Sequence, residues 1–258
     1  MWRDISFLGG KPQLRRIRTF LEAFAAGEAI PPPDRRQRSA PGRFFPDLDA
    51  TPWHAPDQVP GARELCRHSA AIRQDYLSIA KRHVRFVSYE DAEDQVSDSD
   101  GSARSGRQDD IDVYLTHVPD RTLQERLRHC PGVRRALQGT WFADSAMFSR
   151  LTAHNFVGLH SDFINYTLTL HLGIRVPEGA GIRVGGEASW WTEGECIAFD
   201  ASFLHEVWND GPGERVVLIV SAWHPGLTPI EVEALKTVVP RIRAWEKAGA
   251  ADRKTRSG

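Results

Sequence analysis

Tyr166-Thr167-Leu168-Thr169-Leu170-His171-Leu172-Gly173-Ile174-Arg175-Val176 runs into Pro177-Glu178-Gly179-Ala180-Gly181 and then Ile182-Arg183-Val184-Gly185-Gly186. The first segment puts Thr167, Thr169 and His171 on one face of an extended chain, and glycine turns divide it from the next short apolar run. This texture spreads outward over much of the chain. Strands are expected at 141–151, 166–176, 182–184, 189–191, 196–200, 206–208 and 215–223, with Asn209-Asp210-Gly211-Pro212-Gly213 as a further turn. Many short strands with regular turns predict a mainly β fold with flanking helices, closed as a double-stranded β-helix, the cupin-like jelly-roll barrel.

Toward the N-terminus, residues 12–26 read as an amphipathic helix through Leu14, Ile17, Leu21 and Phe24, stopped by Gly27. Residues 30–38, with three successive prolines and then arginines, read as an extended, solvated linker. We therefore divide the chain into an N-terminal helix and Pro/Arg-rich linker over 1–42 and a main domain over 43–258. Within the latter, 61–82 is expected to be helical, with a strand at 113–115 and short helical pieces at 123–127 and 133–137. Residues 89–112 are nearly devoid of apolar side chains and predict a mobile loop, with a lid over the site as the functional alternative. Thr228-Pro229-Ile230-Glu231 has the form of a helix start, and the helix over 228–248 is expected to be interrupted by Pro240 and to fray after Ala248.

The 258 residues carry a formal charge of −1, which offers no field for a nucleic acid or an anionic membrane. No apolar run is long enough for a bilayer, and Met1-Trp2-Arg3-Asp4 lacks the layout of a signal peptide. Cys66, Cys130 and Cys196 are widely spaced and odd in number, so packed, reduced thiols in a cytoplasmic protein are expected.

The chemistry concentrates between His160 and Trp223. His160 and Asp162 are two residues apart, a spacing that turns both side chains to one face of an extended segment, and His205 follows on a later strand. Two histidines and one carboxylate form the facial ligand set of non-haem Fe(II), which leaves the opposite positions open. Arg215 begins the apolar run Val216-Val217-Leu218-Ile219-Val220. A cation there implies a buried anion such as the distal carboxylate of an organic acid. His54, His68, His83, His117 and His129 have no such pattern, His154 lies off the motif, and His224 reads as structural.

Three phrases now carry a resemblance. They are 166–173, the run Phe199-Asp200-Ala201-Ser202-Phe203-Leu204-His205-Glu206-Val207-Trp208, and Ala222-Trp223-His224-Pro225-Gly226-Leu227-Thr228-Pro229. They resemble the aspartyl/asparaginyl β-hydroxylase family of Fe(II)/2-oxoglutarate-dependent dioxygenases, with the likeness densest from Met147 onward. The resemblance implies iron ligation by His160 and His205, and 2-oxoglutarate held by Ser149, His171 and Arg215. Asn165 also matches a family position. The animal branch has Gly at the position of Asp162 and arginines at those of Thr167 and Thr169, so Asp162 rests on general triad chemistry and the pocket wall here is less cationic.

The reading is thus a hydroxylase using Fe(II), 2-oxoglutarate and O₂, with His160, Asp162 and His205 as catalytic metal ligands. Its substrate is expected to be an amino acid, a residue in a peptide, or a carrier-bound intermediate, as in natural-product or peptide tailoring. A fatty-acyl hydroxylase on the same fold and a cupin-like binding protein without activity are the alternatives.

Overall fold

The structure, a computed structural model, describes residues 1–5, 8–10, 12–81, 87–88, 111–117, 127–139 and 141–256. In chain order these form α1 (Trp2–Ile5), α2 (Arg15–Ala26), β1 (Trp53–His54), α3 (Pro60–Arg67), α4 (Ser69–Lys81), β2 (Val87–Ser88), β3 (Ile111–His117) and α5 (Pro131–Ala136). There follow β4 (Phe142–Leu151), β5 (Asn155–His160), β6 (Thr167–Arg175), β7 (Ala180–Val184), β8 (Glu187–Trp190), β9 (Cys196–Phe199), β10 (His205–Asn209), β11 (Arg215–Trp223) and α6 (Pro229–Arg256).

Among the described residues the strands make two antiparallel sheets, one ordered β1-β9-β6-β11-β4-β3-β2 and the other β5-β10-β7-β8. Alternation along each strand then sorts the side chains into two layers. Leu168, Leu170 and Leu172 of β6 join Phe148, Leu218 and Val220 on the outer face of the larger sheet, where α3, α4 and α5 cover them. Leu151, Ile182, Val184, Phe199, Val207 and Val217 point the other way and fill the space between the sheets. This is a double-stranded β-helix, as the strand and turn texture predicts.

The helical layer fits closely. Asp75 of α4 accepts the Val133 backbone N–H at 2.8 Å, capping the start of α5. A Cβ on Gly132 would lie 2.6 Å from the Ala71 backbone, so only glycine lets these two helices approach. A third core lies at the chain termini, where Ile17, Phe20 and Phe24 of α2 meet Leu235, Val239 and Ile242 of α6 around Phe45 and Tyr166.

Several expectations need correction. Asn155–His160 is a strand that the sequence reading missed, because Gly158 and a bulge opposite His205 and Val207 break its alternation. Helix α6 runs through Pro240 and on to Arg256 without interruption. Val238, Val239 and Ile242 are buried around the proline, and that packing holds the helix despite one lost backbone bond. The helix expected over 61–82 is two helices that meet at His68. Of the loop expected over 89–112, Ile111 and Asp112 belong to β3 and 89–110 lie outside the described residues, as do 123–126. No described helix is long and apolar enough to cross a membrane.

The start of α6 bears out the capping signature. Thr228 Oγ1 accepts the Glu231 N–H at 3.3 Å, and Glu231 Oε2 accepts the Thr228 N–H at 2.9 Å. Glu231 is buried and also receives both Arg16 Nε and Nη2, at 2.8 and 2.5 Å. Glu231→Ala should therefore lower stability by about 3 kcal/mol, since it removes a cap and strands a mostly buried guanidinium. Urea denaturation of the variant should show the loss as a lower midpoint.

Candidate metal and anion site

His160 ends β5 and His205 begins β10, and the two residues are direct cross-strand partners. Their ring centroids are 4.1 Å apart. His160 Nδ1 lies 2.7 Å from the Gly158 carbonyl oxygen and His205 Nδ1 lies 2.9 Å from that of Phe203. Carbonyls only accept, so each Nδ1 carries the hydrogen and each Nε2 presents its lone pair. Asp162 completes the group: one ligand atom from each of His160, Asp162 and His205 lies within 4.8 Å of the others. Asp162 is exposed at the barrel mouth, His160 half-buried and His205 buried.

The strand-parity argument for Asp162 is only part of the cause, since β5 stops at His160. The chain beyond it is pinned to the 200–204 turn: the Asp162 N–H donates to the Ala201 carbonyl at 2.9 Å, and Ser161 Oγ donates to that of Ser202 at 2.9 Å. That turn leads directly into His205. One short segment therefore sets two of the three ligands.

The turn is itself held by residues that sequence reasoning overlooked. Buried Asp200 accepts the Ser202 N–H through Oδ1 at 2.8 Å and Gln37 Nε2 through Oδ2 at 3.1 Å. Gln37 Nε2 also reaches Ser202 Oγ at 3.0 Å. Burial raises the Asp200 carboxyl to about 7, against the opposing pull of these hydrogen bonds, and the Asp162 charge adds to the rise. Backbone bonds from Arg38 N–H to the Ser202 carbonyl and from Leu204 N–H to the Arg36 carbonyl dock the whole 36–38 segment here. The Pro/Arg-rich stretch is not the extended, solvated linker expected: it turns at 34–37, where the Gln37 N–H donates to the Asp34 carbonyl, and it is strapped onto the 200–204 turn.

Deeper in the barrel, β11 places Arg215 and β6 places His171, both buried. Arg215 Nη1 donates to Ser149 Oγ at 3.3 Å and to the Ser149 carbonyl at 3.4 Å, and its guanidinium lies 5.1 Å from the Trp191 ring centre. The Arg215 position follows from buried Asn209, whose Nδ2 donates to the carbonyls of Leu151, Thr152 and Gly213 and so locks the turn between β10 and β11. His171 stacks on Trp191 at 5.9 Å and meets Phe199 edge-on at 5.0 Å, while Phe199 lies 5.6 Å from His205. An unbroken row of rings thus joins the histidine pair to the guanidinium.

This inner end is short of negative charge. Among the described residues no carboxylate pairs with Arg215, and Arg215 Nε, His171 Nδ1 and Trp191 Nε1 are buried with no hydrogen-bond partner. Burial without a counter-charge lowers the Arg215 guanidinium to about 9. Burial, then Arg215, then His205 hold His171 well below the ordinary histidine range, so it is neutral. A buried cation with orphaned donors beside it suits an anion. All six sequence-predicted residues, His160, Asp162, His205, Ser149, His171 and Arg215, line this one barrel. Asn165 does not join them: it bonds the Phe45 backbone through Oδ1 at 2.6 Å and Nδ2 at 2.9 Å. His54 and His224 face each other instead, at 5.3 Å.

Residues 67–225 match the aspartyl/asparaginyl β-hydroxylase family. The chain is 35% identical over 211 residues to aspartate β-hydroxylase domain-containing protein 1 of Mus musculus, covering 76% of this chain and 54% of that protein. It is 36% identical over 118 residues to the aspartyl/asparaginyl β-hydroxylase of Homo sapiens, covering 45% of this chain and 14% of that one. The chain spans about half the length of the first of these relatives. A crystal structure of an oxidoreductase of the 2OG-Fe(II) oxygenase family from Burkholderia pseudomallei aligns with a TM-score of 0.40 at 17% identity, over 46% of this chain and 71% of that one.

Gln37→Leu should leave Asp200 Oδ2 and Ser202 Oγ without their shared donor, a loss of about 2 kcal/mol. Amide hydrogen exchange should show faster exchange at Asp162, whose N–H is tied to the same turn. Unchanged protection at Asp162 would mean that the strap does not support the ligand.

Proposed function

The chain belongs to the aspartyl/asparaginyl β-hydroxylase family, and we propose that it is an Fe(II)- and 2-oxoglutarate-dependent hydroxylase of an amino acid, or of an amino-acid residue in a peptide or carrier-bound intermediate. The observation that carries this reading is the buried Arg215, without a carboxylate among the described residues, in the same barrel as the His160–Asp162–His205 cluster. Two imidazole nitrogens and one carboxylate oxygen within 4.8 Å of one another are a donor set that fits ferrous iron. The orphaned Arg215 Nε and His171 Nδ1, with Ser149 Oγ beside them, fit a dicarboxylic cosubstrate whose far end carries charge.

In this scheme His160, Asp162 and His205 hold the metal, with the Gly158 and Phe203 carbonyls fixing the imidazole tautomers. Bound iron and 2-oxoglutarate supply activation of O₂, with decarboxylation to succinate coupled to oxygen transfer into a C–H bond. Arg215 and Ser149 fix the cosubstrate's outer carboxylate, and neutral His171 stacks on Trp191 beside it. Phe199, Trp191 and Val217 belong to the buried apolar cluster around this end, a low-dielectric setting that would strengthen the Arg215 interaction.

The substrate side is lined differently. Thr169 is the cross-strand partner of Ser221, and Ser221 Oγ lies 2.7 Å from Ser145 Oγ. With Thr167 these hydroxyls give the wall next to His171 a neutral, hydrogen-bonding character. That supports a substrate side chain without a second carboxylate at this wall.

Two variants separate the roles. Arg215→Ala should raise the KM for 2-oxoglutarate at least about tenfold, the loss of roughly one charge-assisted contact, while Co(II) binding followed by absorption stays near wild type. Asp162→Gly should weaken Co(II) binding instead; full activity in that variant removes Asp162 from the ligand set. The overall reading is tested by succinate formation with Fe(II) and 2-oxoglutarate, together with a mass-spectrometric screen of amino acids and peptides for a gain of one oxygen. Absence of both would leave a binding protein.

A further inference from the structure

Cys66 and Cys196, 130 residues apart in the chain, meet where α3 packs on β9. Cys196 is buried in the outer core and Cys66 packs against the same core from a half-buried position. The two thiols act directly on each other, the Cys196 side chain and backbone N–H both favouring the Cys66 thiolate. Two neighbouring thiols in one core cluster, one half-buried and one behind it, have the layout of an attacking and a resolving thiol.

We propose that Cys66 and Cys196 are a thiol pair that a small-molecule disulfide oxidises to an internal disulfide bond. Cys196, through its thiol and its backbone N–H, brings the Cys66 thiol down to about 6, against the opposing effects of burial and the Glu195 charge. Cys196, as donor to that sulfur and buried, is held protonated. Cys130 is unlike either: it is fully buried, and burial pushes its thiol up to about 12.

The chemistry balances with oxidised glutathione. The Cys66 thiolate attacks one sulfur of the reagent, forming a mixed disulfide and releasing one glutathione thiolate. That thiolate or solvent takes the Cys196 proton; Cys196 then attacks the Cys66 sulfur and displaces the second glutathione. Two protein thiols are oxidised, one disulfide reagent is reduced to two thiols, and no other reactant is required. The bond ties α3 to the strand whose Phe199 rests against His171 and His205.

The test uses the full chain in glutathione buffers of increasing oxidation, quenched with acid, alkylated and mapped by mass spectrometry. The expected result is loss of two of the three thiols, one Cys66–Cys196 linked peptide pair, and Cys130 alkylated throughout. Cys196→Ala should trap one glutathione on Cys66, and Cys66→Ser should leave Cys196 and Cys130 both alkylated after the same treatment. If Cys196→Ala does not fold, the Cys66→Ser result and the wild-type map decide the matter. Three intact thiols in the oxidised wild type, a stable glutathione adduct on Cys66 with Cys196 still free, or a bond involving Cys130 would overturn the proposal.

Discussion

A buried guanidinium with no carboxylate partner among the described residues is the constraint around which this barrel is arranged. Arg215 sits at the start of β11, buried between Ser149, Trp191 and the two sheets, and among the described residues its charge is answered by long hydrogen bonds and a ring face. Burying an ion this way costs several kcal/mol, which the folded chain must recover from its packing. The surrounding apolar layer of Leu151, Val217 and Phe199 supplies part of that recovery and also excludes water.

The His160–Asp162–His205 cluster is built by a different device. His160 and His205 are set by pairing between two strands, a register that a one-residue slip would destroy. Asp162 lies past the end of its strand and depends on the 200–204 turn, which is clamped by Asp200, Ser202 and Gln37. The ligand geometry therefore draws on a segment near the N-terminus as well as on the barrel. This gives the 36–38 stretch a structural task that its composition does not suggest.

Between these two ends runs the ring series His205, Phe199, His171, Trp191. Its members come from β10, β9, β6 and the turn after β8, so both sheets contribute to a single wall. The outer face of β9 carries Cys196 toward α3, and the inner face carries Phe199 toward the histidines. A strand two residues deep in each layer is thus a direct mechanical link between the helical cover and the site.

The sequence by itself determined most of the strand and turn pattern after Thr140, the α2 helix with its left-handed Gly27 stop and the capping box at Thr228, and it singled out His160, Asp162, His205 and Arg215 by type and spacing, while Ser149 and His171 entered through the family resemblance. These are legible because alternation, caps and glycine turns are local, and because the residue types announce their chemistry. Only the tertiary structure decided that Gln37 and Asp200 brace the ligand turn, that Trp191 lies against Arg215, that α6 continues through Pro240, and that Cys66 touches Cys196. Those contacts join segments far apart in the chain. No periodicity records them, since they follow from how the sheets and helices close on one another.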